Sequence, residues 1–407
     1  MKLLRVDLFI LNVFLIIISL FIVFFLGINI SINDYFQWNN LLLALIFFAI
    51  PQLGFGDGYN IKFIGFSLDK ISFFFINKKI FLLFIHSTIT SVLFVFGYYY
   101  VFDSFNIFIP LIYIVLNLNG FFYHFFNSLN LISITIQSQI IQKAVFIFSL
   151  YLFNSILTFN LLIQLYFFSL FLSLTFLYFN FYLKRTQMIT DLTNPTYFSL
   201  LIAGFPILIN SLTSLLLFYF PKIIFANSSF VNEFNVLSLL NSLLSFLTIF
   251  FSTYGNVLHF KLTQKKYDFS KIEFLILFYV VFLSLFLFLS SDYLIIILET
   301  IFSNYNFTFD ILYYSILSVS FNAFNHIFLI PYSKFYNKIK LINYFSLISI
   351  FIYLTLLYFQ LFNFDVNILI KLITFISMLT NGFLYLLVLN YRKLFSIILL
   401  LTLVIFL

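Results

Sequence analysis

Uncharged, apolar stretches such as Leu11–Leu26 and Phe274–Ser290 recur from one end of this chain to the other. Runs of about 18 or more such residues are what a transmembrane helix needs. A transmembrane barrel would instead alternate apolar and polar residues within segments of about 10, whereas these runs are apolar on every side. Hydrocarbon offers a bare backbone no hydrogen bonds, so such runs close their own ladders as helices. Only 8% of the residues are charged, against roughly 25% in a soluble domain, which is too few to cover a water-facing surface. The expected fold is an all-α polytopic membrane protein.

The runs place twelve spans at roughly 6–29, 38–56, 80–102, 105–126, 139–157, 160–182, 196–220, 230–256, 273–298, 308–332, 340–362 and 367–390. A last apolar run, Leu394–Leu407, has 14 residues. At about 1.5 Å per residue it reaches roughly 21 Å, short of the roughly 30 Å hydrocarbon core. It reads as an interfacial tail or an incomplete thirteenth span. The first run is too long for a secretory signal, and no small-residue cleavage site follows it.

Lysines and arginines orient the spans, because cytoplasmic ends collect them. With twelve spans, 18 of the 20 basic residues fall on one side, among them Arg5, Lys62, Lys79, Lys143, Arg185, Lys261 and Lys393. Lys222 and Lys371 fall on the other. The N-terminus is therefore expected in the cytoplasm. The same asymmetry accounts for the net charge of +7 without a nucleic-acid partner. Asn194-Pro195 breaks the chain before the seventh span. The expected organisation is a six-helix lobe over 1–185, a cytoplasmic linker over 186–195, a second six-helix lobe over 196–393 and the tail over 394–407. The cytoplasmic exits Gly58–Phe63 and Gly255–Lys261 resemble each other, as a parallel repeat about the membrane normal would require.

Nothing in the chain suggests covalent chemistry. There are no cysteines, so disulfides, thiolate metal sites and cysteine nucleophiles are excluded. The glycine-rich Gly54–Gly58 has no βαβ unit around it and is not a dinucleotide fingerprint. The four histidines lie on separate segments. Polar residues within spans are the informative ones, since they either bond between helices or line a cavity. Asn322, Asn325 and His326 share the tenth span, and Asn322 and His326 share a face. Asn117 and His124 belong to the fourth span and Asn210 to the seventh. Lys222, just past the seventh span, either attracts an acidic group at a cavity mouth or snorkels to the interface.

Two stretches resemble a known family. Leu53-Gly54-Phe55-Gly56-Asp57-Gly58, followed by Lys62 and Gly65, is similar to the cytoplasmic end of the second span in O-antigen and polysaccharide flippases. Ala203-Gly204-Phe205-Pro206-Ile207-Leu208-Ile209, leading on to Glu233 and a Leu- and Ser-rich eighth span, resembles the start of the second half in the same family. Many members carry an aspartate-arginine pair where this chain has Pro221-Lys222, so the positive charge is kept and the acid is not. The family is the polysaccharide branch of the multidrug/oligosaccharidyl-lipid/polysaccharide flippase superfamily.

The resemblance implies two six-helix lobes around a central cavity that opens to either side in turn. It implies a polyprenyl-diphosphate-linked oligosaccharide as substrate, flipped across the bacterial inner membrane for O-antigen or other surface polysaccharide. It also implies a transporter and not an enzyme, with no cofactor but H+ or Na+ as coupling ion. A monomer is expected, working beside a polysaccharide polymerase and chain-length proteins. The rival readings are a small-molecule antiporter of the superfamily, which would need a membrane-embedded acid, and an O-antigen polymerase, which would carry a large outer loop with arginines. This chain has short outer connections with no arginine.

Overall fold

Short polar side chains mark where several of the helices start. A computed structural model describes residues 6–46, 55–56, 58–59, 72–102, 106–129, 131–187, 196–205, 208, 222–223, 226, 231–243, 290, 292–309, 311–313, 344, 347–348, 351 and 355. The regular structure among them is helical, with no strand. Six long helices follow in order: α1 (Val6–Asn29), α2 (Ile32–Ile46), α3 (Phe73–Phe102), α4 (Phe108–Ser128), α5 (Ile132–Leu152) and α6 (Phe159–Leu183). Within the described residues, four stretches are long and apolar enough to cross a membrane: Ile10–Asn29, Phe73–Tyr99, Phe108–Ser128 and Phe159–Thr186.

Exposure follows the helical repeat. Along α1, Ile10, Phe14, Ile17, Phe21 and Ile28 are exposed while Leu15, Ile18 and Leu26 are buried. Along α3, Phe74, Phe81, Ile85, Ile89, Leu93 and Phe96 are all exposed. Water does not tolerate apolar stripes of that length on a monomer's surface, and hydrocarbon does. The chain is an α-helical membrane protein.

Two compact units divide it, Met1–Leu212 and Thr213–Leu407. In the first, α6 packs on α5 and α4, α3 on α4, α1 on α5 and α2 on α6. Three helix starts meet on one rim. The Ser31 hydroxyl caps α2, accepting from the Asp34 N–H at 3.1 Å and donating to its carboxylate at 2.7 Å. The other oxygen of Asp34 accepts from the N–H of Phe159, the first residue of α6, at 3.0 Å. Asn106 accepts from Phe108 N–H at the head of α4 and donates to Asn160 at 3.0 Å. A carboxylate at two helix N-termini satisfies orphan donors and meets the favourable end of both dipoles.

At the other end of α4, Phe121, Phe122, Phe125 and Phe126 form an almost continuous buried ring face with Phe55, Tyr59 and Phe181. Phe125 meets Phe181 edge-on at 5.5 Å, and Phe73 stacks on Phe181 at 5.1 Å. Hydrocarbon removes most of the hydrophobic drive between helices, so close packing and ring geometry hold this end.

In the second unit, residues 231–243 and 292–301 are helical. Asn232 is bound to the backbone of Asn306 in both directions, at 3.2 and 3.3 Å. The Glu299 carboxylate accepts from Phe307 N–H at 3.3 Å, which fixes the turn after the second of those helices.

Candidate functional site

Most polar side chains within the helices bond the carbonyl one turn back, a local solution open to Ser, Thr and Asn in any apolar surround. Ser19 bonds Leu15, Thr88 bonds Phe84, Asn39 bonds Tyr35 and Asn180 bonds Phe176. The candidate cavity residue Asn117 does the same, its amide donating to Tyr113 at 3.0 Å while the side chain is fully buried. Asn119 crosses to α6 and donates to the Leu170 carbonyl at 3.3 Å. Both asparagines therefore have structural work that needs no cavity, the crossing bond contributing about 0.6 kcal/mol.

A different set of polar groups bonds side chain to side chain between helices. The hydroxyls of Ser138 on α5 and Ser173 on α6 lie 2.6 Å apart, and Tyr123 of α4 joins them. One turn along α5, Gln142 lies beside Tyr166 of α6. Beside it Lys143 donates to Ser19 of α1. The positive-inside reading puts Lys143 at a cytoplasmic end, with the fifth span starting near 139. The helix instead starts at Ile132, which places Lys143 near its middle, opposite the middle of α1. Residues 144–152 alone would reach only about 14 Å at ~1.5 Å per residue. A span ending at Leu152 would have to take in the preceding glutamines and Lys143. Insertion scales charge about 2.5–3.5 kcal/mol for a lysine at mid-bilayer.

The two stretches that carry the family resemblance meet in the first unit. A Cβ on Gly58 would lie 1.8 Å from the Leu200 carbonyl oxygen and 3.0 Å from the Gly204 nitrogen. The backbone at Gly58 and the helix at 197–205 thus cross backbone on backbone, which only glycine permits. Gly56 makes room for His124: a Cβ there would sit 2.4 Å from the imidazole. Phe55 stacks on Tyr197 at 4.6 Å. Lys79, only 6% exposed, holds its ammonium 4.9 Å from the Phe75 ring and 5.5 Å from the Tyr197 ring, a cation–π contact at each face.

Lys222 belongs to the second unit and is 8% exposed. A snorkelling lysine would reach for the interface; this one is enclosed by protein. Gly54, Asp57, Lys62, Pro206, Asn210, Asn322, Asn325 and His326 lie outside the described residues. Among the described residues no group of three or more His, Asp or Glu could hold a metal.

No protein-family model, curated protein or solved structure matches the chain.

Proposed function

We propose that this protein is a flippase of the bacterial inner membrane, carrying a polyprenyl-diphosphate-linked oligosaccharide from the cytoplasmic to the outer leaflet for surface polysaccharide assembly. The sugars cannot cross hydrocarbon unaided, because each hydroxyl would lose its hydrogen bonds to water. A protein interior with hydroxyls, amides and a few cations replaces those bonds while the lipid tail stays in the bilayer. Two lobes rocking about the linker, driven by H+ or Na+, open that interior to each side in turn.

The observation that supports this reading most is the glycine crossing. Leu53–Gly58 and Ala203–Ile209 are the two segments that resemble the flippase family, and Gly58 and Gly204 are neighbours in space. Lys222 adds a buried cation in the second unit, suited to the acidic part of such a substrate. The lopsided distribution of lysine and arginine supports an N-terminus in the cytoplasm.

The test is display of surface polysaccharide. A strain lacking the chain should lose display and accumulate the lipid-linked oligosaccharide; normal display in that strain rejects the transport reading. Lys222→Ala should remove most of the display at unchanged protein level. Full display in that variant removes Lys222 from the site.

A further inference from the structure

We propose that Lys143 and Ser19 form an anion-binding site inside the first unit, taking either a diphosphate or the carboxylate of an acidic sugar. The proposal rests on the transport reading for the biological source of the anion, but not for the site itself.

An ammonium group offers three donors and no acceptor. Lys143 uses one on Ser19, and among the described residues it has no acidic partner and no second hydrogen bond. The Ser19 hydroxyl in turn gives its proton to Leu15 of its own helix, so it can only accept from the lysine. A neutral hydroxyl of this kind orients the ammonium and leaves its charge uncompensated. Surface lysines resolve that with water. Lys143 instead is half-buried and sits about eleven residues from the start of α5, roughly 16 Å along the helix axis at ~1.5 Å each, bonded to the middle of the membrane-length helix α1. A charge withdrawn from part of its water is favoured where it meets a counter-charge, and two donors here are available to one.

The surroundings suit a polar anion with hydroxyl neighbours. Gln142 and Tyr166 lie on the α6 side of the lysine, with the Ser138–Ser173–Tyr123 cluster one turn behind. A diphosphate linker would take the lysine's remaining donors, and so would a uronate; the chemistry shared by the two is a compact oxyanion.

The chain supplies its own reporter. Trp38, its only tryptophan, stacks on Phe146 at 5.7 Å and meets Tyr166 edge-on at 5.3 Å. Phe146 is three residues along α5 from Lys143, on the same side of the helix. Tryptophan emission of the full-length protein in lipid nanodiscs, titrated with inorganic pyrophosphate in one arm and glucuronate in another, reads the site without any transport. Thermal unfolding in the same solutions gives a second readout.

A saturable change in emission or a saturable rise in Tm with either anion is expected. Pyrophosphate alone assigns the carrier diphosphate, and glucuronate alone assigns an acidic sugar. Lys143→Gln should weaken binding at least about tenfold, a loss of about 1.4 kcal/mol. Lys143→Arg should keep it, and Ser19→Ala should weaken it less than Lys143→Gln. No response to either anion by either readout in the wild-type protein overturns the proposal, as does unchanged affinity in Lys143→Gln. Should Lys143→Gln not fold, the wild-type titrations and Ser19→Ala still decide. A chain that binds the anion but is dispensable for display keeps this site and loses the flippase reading; the opposite outcome separates them the other way.

Discussion

The ring-packed end of α4 and the polar seam along the middle of α5 share helices and neighbours, yet they are built on opposite principles. At the first, Phe121, Phe122, Phe125, Phe126 and Phe181 fill space with rings, and Gly58 lets two backbones touch. At the second, Ser138, Ser173, Tyr123, Gln142, Tyr166, Lys143 and Ser19 meet through hydroxyls, an amide and one charge. Rings in a dense apolar interior have few alternative arrangements. Hydroxyls can exchange one partner for another at small cost, because each is both donor and acceptor. One end is therefore suited to keeping the helices in place, and the other to accommodating something that comes and goes.

That contrast can be broken by substitution. The largest effect is expected from Phe125→Ala, which empties a fully buried site against the rings of Tyr59, Phe126 and Phe181 and should cost about 3–5 kcal/mol, read as a large fall in Tm of the purified protein. Gly58→Ala comes next. Its methyl would run into backbone, where relief requires the two helices to separate, and overpacking of that kind costs about 1–3 kcal/mol. Gly97→Ala is the matched control, since nothing lies within 4 Å of a Cβ there, and it should leave Tm unchanged or slightly raised. The smallest effect belongs to Ser138→Ala, at about 0.6 kcal/mol for one bond between membrane helices. If Ser138→Ala lowers Tm as far as Phe125→Ala does, the seam is a structural core and the contrast fails.

How much of this was legible in the sequence depends on what each helix faces. Helices α1 and α3 show lipid a continuous apolar stripe, and their runs stand out in the residue order. Helix α5 packs on α1, α4 and α6, which half-cover Gln139, Gln142 and Lys143 of its first half, while Gln137 is exposed. Read by hydropathy, those residues resemble a membrane edge, and the reading starts the helix too late. Lys79 shows the same effect in milder form: α3 starts at Phe73 and not near 80, because rings of its own helix and of Tyr197 take up the charge. Gly56, Gly58 and Gly204 are conspicuous as a pattern. That Gly58 and Gly204 touch, and that Gly56 shelters His124, depends on a pairing of distant segments that no local pattern encodes. For Asn117, spacing alone does not reveal the bond to its own helix, which runs 3.0 Å to the Tyr113 carbonyl.

Asp34 carries a mechanical consequence. One carboxylate binds the beginnings of α2 and α6, and Asn106 adds the beginning of α4 through Asn160. Like leaves stitched along a spine, these three rods can fan apart only at their free edge. Whatever rearrangement the polar seam along α5 undergoes must leave that bound margin closed.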